Sequence, residues 1–155
     1  MKIRLLAVGT RMPAWVETGV DEYRKRMPRE MPFEVVEIPA GARGKNADIA
    51  RAIQAEGDRM LEKIRDQELV IALEVRGAVW STETLADRLG DWRQSGQDVV
   101  LAVGGPDGLD SRIVKRAQAR WSLSALTLPH PLVRVLLAEQ VYRAWTLLVG
   151  HPYHR

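Results

Sequence analysis

Apolar residues recur along this chain with two different periods, and the alternation between them predicts a fold before any residue is given a chemical role. Ile3 to Val8 is a nearly unbroken apolar run closed by Gly9-Thr10, the pattern of a buried strand. Pro13 suits the first position of a helix expected to run to about Met27, where Pro28 stops it. Phe33 to Ile38 alternates apolar with acidic side chains, as a strand with one wet face does. A loop from Pro39 to Lys45 precedes Ile49, Ile53, Met60 and Ile64, which share helical spacing. Leu69 to Leu73 reads as a short buried strand followed by a turn at Arg76-Gly77. Ser81 can cap a helix whose apolar face is Leu85, Leu89 and Trp92, with Glu83 or Thr84 near the position a capping box uses. Val99 to Val103 is the most continuously apolar strand, and it empties into Gly104-Gly105-Pro106-Asp107-Gly108. Asp110 or Ser111 then caps a short basic helix to about Ala119. Ser122 to Leu128 alternates like a strand but carries loop-like serines, and the last helix begins around Pro131.

Strand and helix periods that alternate in this way predict an α/β domain: a mostly parallel sheet with helices on both faces, one domain over residues 1–155. The last helix carries more. Leu132, Val133, Val135, Leu136, Leu137, Val141, Trp145 and Leu148 cover more than one stripe of it, so it must be buried on most sides. One side is expected to face the domain core and the other a second copy of the chain, in a C2 homodimer.

Composition removes several kinds of chemistry. Without cysteine there is no disulfide, thiol nucleophile or thiolate metal site, and His130, His151 and His154 share no helical face, so no metal is expected. No apolar run is long enough to span a membrane, and the first residues read as a strand and not a signal peptide, which points to the cytoplasm. Charge is uneven: 13 basic against 10 acidic residues in 1–65, 3 against 9 in 66–110, and 7 against 1 in 111–155. A basic last third bearing Trp121, Trp145 and Tyr153 suits a polyanion with bases to stack on, or simply a soluble surface.

Three segments are candidates for chemistry. In open α/β sheets ligands bind beyond the carboxyl ends of strands, where Gly104-Gly105-Pro106-Asp107-Gly108 lies. This loop fits neither the P-loop nor the dinucleotide-fold spacing. Arg43 and Lys45, on a glycine-flexed loop, look like a grip for phosphate, and Arg24-Lys25-Arg26 is a second basic cluster. Arg4, Arg29, Arg112, Lys115 and Arg116 are further phosphate candidates. Finally, Gly150-His151-Pro152-Tyr153-His154-Arg155 gathers side chains that donate hydrogen bonds, stack on bases or move protons near neutral pH.

Taken together, Ala7 to Thr10, Glu37 to Gly41, Gly44 to Ile49, Val103 to Leu109, Trp121 to Arg134 and His151 to Arg155 resemble the pseudouridine-N3 methyltransferases of large-subunit ribosomal RNA, the methyltransferase H family of the SPOUT (α/β-knot) superfamily. The likeness spans essentially the whole chain. It implies a trefoil-knotted C-terminal half, S-adenosyl-L-methionine as cofactor, and a homodimer whose active site borrows from both subunits. It also implies cofactor contacts at Leu73, Gly104 and the run Leu123, Ser124, Ala125, Leu126, Thr127 and Leu128. Leu73 and Gly104 are expected at the ends of adjacent strands. Transfer to uracil N3 requires removal of a proton, with His154 as candidate base, Tyr153 stacking or hydrogen-bonding and Arg155 steadying the anion or a phosphate. Two other readings compete: a non-catalytic ribosome-binding assembly or silencing factor, and a knotted enzyme acting on tRNA or a ribose hydroxyl.

Overall fold

The computed structural model describes residues 1–154. Strands β1 (Ile3–Val8), β2 (Phe33–Ile38), β3 (Leu69–Val79), β4 (Val99–Val103) and β5 (Ala119–Ser122) alternate with helices α1 (Ala14–Arg24), α2 (Ile49–Lys63), α3 (Thr82–Ser95) and α4 (Ser111–Arg116). Helix α5 (His130–Val149) and a single 3-10 turn, Pro152–His154, follow. The sheet has the order β2-β1-β4-β3-β5, and every neighbouring pair is parallel. Strand β4, wholly apolar, sits at its centre, buried on both faces as a parallel sheet requires.

Period-two alternation divides the core. Ile3, Leu5 and Ala7 point to one face, where they pack with α1, α3 and α5; Leu6 and Val8 point to the other, against Met60 of α2 and Ile113 of α4. Caps fix where the helices begin. Asp48 accepts from the amides of Ala50 and Arg51, Ser81 from Thr84, and Asp110 from Arg112. Pro13 is the residue just before α1, and α1 ends at Arg24, three residues short of the expected Met27. Helix α4 likewise ends at Arg116, because Ala119 already pairs with β3.

The expected turn at Arg76-Gly77 is absent. Strand β3 runs on to Val79, and Leu73 and Ala78 both pair with Trp121, so the intervening residues bulge out of register. Gly77 is needed there because a Cβ would lie 2.7 Å from the backbone of Arg120 and Trp121. Leu73 is therefore mid-strand beside the bulge and not at a strand end. Of the Ser122–Leu128 run, only Ser122 belongs to a strand; the rest is loop.

Helix α5 lies on the sheet between α1 and α3, so much of the apolar surface expected to meet a partner is covered within the chain. Among the described residues no helix is long and apolar enough to cross a membrane.

Candidate active site

Beyond the carboxyl ends of β4 and β5, and beside the bulge of β3, opens a cavity of about 680 Å³, within the usual size range for small-molecule sites. Residues 73–76 of β3, 103–109 after β4 and 121–124 after β5 line it, together with Leu126, Leu128 and, from α5, His130 and Val133. Backbone dominates one wall. Gly104 leads into a tight turn in which Gly108 N donates to the Gly105 carbonyl at 3.1 Å. A Cβ on Gly104 would stand 2.5 Å from the Gly108 carbonyl carbon, so only glycine lets the loop fold back here. Opposite, Ser122 Oγ donates to the Ser124 carbonyl and Ser124 Oγ accepts from the Leu126 amide, which shapes the loop after β5. The indole Nε1 of Trp121, buried in the wall, has no partner among the described residues.

The expected cofactor residues converge on this space. Leu73, Gly104, Leu123, Ser124, Leu126 and Leu128 all line it; Ala125 and Thr127 are exposed on the same loop and do not.

With that geometry in hand, likeness to known proteins is informative. A family model described as "Predicted SPOUT methyltransferase" matches residues 1–154. The chain belongs to the SPOUT methyltransferase family. It is 70% identical over 155 residues to "Ribosomal RNA large subunit methyltransferase H" of Chromohalobacter salexigens. Identity to proteins of the same name is 60% in Marinomonas sp. and 59% in Ectopseudomonas mendocina, and in all three cases the whole of both chains is covered.

In this SPOUT methyltransferase the segment after α5 lies apart from the cavity. Gly150, at positive φ, ends the helix, and His151 N returns to the Thr146 carbonyl at 2.9 Å. The 3-10 turn then folds back: Tyr153 OH donates to Glu139 at 3.2 Å, its ring meets Tyr142 edge-on at 4.7 Å, and Arg143 lies 5.1 Å over it. Burial, with Tyr23 and Glu139 adding to it, pushes the Tyr153 phenol up to about 12, so it serves as a donor at neutral pH and not as a base. His154 Nδ1 is buried with no partner among the described residues, and Arg155 lies outside them. Glu139 to Arg143 follow His130 by nine to thirteen residues, about 14–20 Å along the helix axis, so within one chain Tyr153, held there, does not reach the cavity.

Basic candidates split between two places. Arg24, Lys25 and Arg26 lie near the folded-back turn: Arg24 pairs with Asp21, Lys25 is exposed, and Arg26 pairs with Glu22 while lying 5.9 Å from the Tyr153 ring. Arg43 reaches the glycine loop through Asp107, and Lys45 follows it two residues on. Lys45 is exposed, whereas Arg43 is a strut that binds the buried Glu56 at 2.8 Å and Asp107 at 2.8 Å. Three further phosphate candidates are committed internally. Arg4 is buried against Glu68, Arg112 is bound to Asp58 and Asp110, and Arg116 donates to the carbonyls of Arg65, Asp66 and Glu68. Residues that sequence reasoning missed are Glu56, Glu37, Glu139, His130 and Arg134. The i,i+4 spacings His130/Arg134 and Glu139/Arg143 were the local signal; nothing near Glu56 in the sequence announces its partners.

Proposed function

We propose that this chain is an S-adenosyl-L-methionine-dependent methyltransferase acting on N3 of a pseudouridine in large-subunit (23S) ribosomal RNA. In this reading residues 1–155 are a single cytoplasmic SPOUT domain with a trefoil-knotted C-terminal half, working as a homodimer. The observation that carries it is convergence: six of the eight residues that the resemblance assigns to the cofactor line one cavity. The relatives' printed name, large-subunit ribosomal RNA methyltransferase, supplies the substrate class.

The cavity fits the cofactor's chemistry. At Gly104 only glycine lets the loop fold back, and main-chain donors and acceptors along this wall suit an adenosine edge. Leu73 and Leu123 add apolar cover, and the Trp121 indole is a donor still to be satisfied. When bound, the cofactor supplies an already activated methyl group, so the protein's task is alignment and handling of the N3 proton. Tyr153, held protonated, orients the base or donates to its carbonyl; His154 takes the proton; Arg155 steadies the anion or a phosphate. Lys25 and Lys45 meet the RNA backbone, and the base is presented unpaired, since duplex pairing hides N3.

Distance supports the homodimer. One chain keeps its Tyr153–His154 turn about 14–20 Å from its own cavity, along α5. In this reading two copies packed about a two-fold axis bring each turn, with the nearby Arg24–Arg26 cluster, to the partner's cavity. Trp15, on α1, is 54% exposed and offers apolar surface for such an interface.

The test is methyl transfer from labelled cofactor to whole ribosomes, isolated subunits and free RNA in parallel, with nucleoside mass spectrometry of the product. Label in N3-methylated pseudouridine is expected. Absence of saturable cofactor uptake, or label in tRNA or on a ribose, removes the reading. Mixing a chain truncated before His151 with a Gly104→Leu chain, each inactive alone, is expected to restore about a quarter of wild-type activity, since half the dimers then hold one intact composite site.

A further inference from the structure

His130 is the one ring that touches both the cavity and the Arg134–Glu37 ion pair behind it, and its bonding is set by its neighbours. Arg134, from the same helix α5, donates from Nε to His130 Nε2 at 3.1 Å. The same guanidinium donates to Glu37 of β2 at 2.8 Å and to the Gly9 carbonyl after β1 at 2.8 Å. Arg134 is 3% exposed and has only donors, so Nε2 must offer its lone pair and the ring proton must sit on Nδ1. On its other side the ring faces the backbone of Gly104, at the start of the glycine loop, and both line the cavity. An imidazole supplies a rigid acceptor and a rigid donor at once, and no aliphatic side chain supplies either.

We propose that neutral His130, locked between Arg134 and the Gly104 backbone, is a positioning residue that sets the glycine loop for cofactor binding. The inference rests on the cofactor reading above for its consequence, though not for the linkage itself. Protonation of His130 would turn Nε2 into a donor facing a donor and set two cations side by side. The charged and titratable groups around the ring are Arg134 on its own helix and Glu37 from β2, with carbonyl groups from the β1 and β4 ends. Burial and Arg134 together hold the imidazole below its ordinary value, against the smaller pull of the Gly104 backbone and Glu37. The loop is therefore fixed at neutral pH and released in acid.

Two measurements on the full-length protein test this. In the first, calorimetry follows S-adenosyl-L-methionine binding between pH 5 and 8 for wild type, His130→Asn and His130→Ala. Wild-type affinity is expected to be flat near neutrality and to fall about tenfold per pH unit below the His130 midpoint. Asparagine, which can still donate to Gly104 and cannot ionise, should stay within about threefold at pH 7.5 and lose the acid limb, while alanine loses about tenfold. His151 and His154 remain in every variant, so an acid limb that persists in His130→Asn overturns the proposal, as does wild-type affinity in His130→Ala. In the second, nuclear magnetic resonance without cofactor is expected to show the Nδ1-protonated tautomer and a Gly104 amide shift that follows the His130 titration. An Nε2-protonated ring, or a Gly104 amide indifferent to it, overturns the proposal whether or not cofactor binds; failure of wild type to bind at any pH sinks the cofactor reading alone.

Discussion

Replacing Arg43 by leucine separates a phosphate ligand from an internal strut. Its guanidinium reaches Glu56 at 2.8 and 3.2 Å, Asp107 at 2.8 Å and the Gly41 carbonyl at 3.1 Å. Glu56 is 3% exposed, and once the cation is gone its carboxylate keeps the Gly41 amide at 2.9 Å and no charge partner. Stranding a buried carboxylate costs about 3–5 kcal/mol. Arg43 is itself partly open to solvent, which screens the pair, so the lower end, about 3 kcal/mol, is expected. With a urea dependence of about 2 kcal/mol per molar, the unfolding midpoint should fall by about 1.5 M, followed by tryptophan fluorescence. Arg43→Leu/Glu56→Leu should recover most of the loss, because nothing charged is then left stranded. In parallel, the salt dependence of ribosomal RNA affinity should keep its slope. A single variant as stable as wild type, with a slope shallower by about 0.9, would mean that Arg43 grips phosphate after all.

Lys25→Ala and Lys45→Ala are expected to behave in the opposite way, each reducing the salt slope by about 0.9 if it meets a phosphate, with the urea midpoint unmoved. Gly104→Ala puts a Cβ 2.5 Å from the Gly108 backbone, so the loop must shift; cofactor affinity by calorimetry should fall at least about tenfold, or 1.4 kcal/mol. Tyr153, raised to about 12 in the fold, should ionise well above an ordinary phenol in an absorbance titration, and Tyr153→Phe should abolish that late phase. Because the folded chain holds this proton more tightly than the unfolded chain, whose phenol ionises at about 10, the stabilisation is complete below that pH and is lost as pH climbs to about 12. His130 has the reverse sign. With its folded value lowered, its contribution is complete above about 6.5 and fades as pH falls, so thermal unfolding of His130→Asn should lose part of the acid sensitivity.

The strands and helices were legible in the sequence because each is a local matter. Ile3–Val8, Phe33–Ile38 and Val99–Val103 were read with the bounds the structure gives, since runs and alternations of apolar residues report burial directly. Errors came where a distant backbone overrode a local signal. Gly77 looked like a turn, yet it is the place where β5 presses against β3; Leu73 looked like a strand end for the same reason. The expected cofactor residues around Gly104 and Leu123 came from the resemblance, and local chemistry pointed only to the glycine loop.

The order of apolar and polar residues by itself determined the α/β class, the caps at Ser81 and Asp110, and the glycine loop at the cavity. Tertiary structure alone decided which charges are free. Arg4 meets Glu68, Arg43 meets Asp107 and Arg134 meets the Gly9 carbonyl across separations of 64, 64 and 125 residues. Such partners are chosen by strand order and helix placement, not by neighbours in the chain. An arginine beside a glycine loop reads the same in sequence whether it faces solvent or a buried carboxylate, and only the fold supplies the desolvation that distinguishes them.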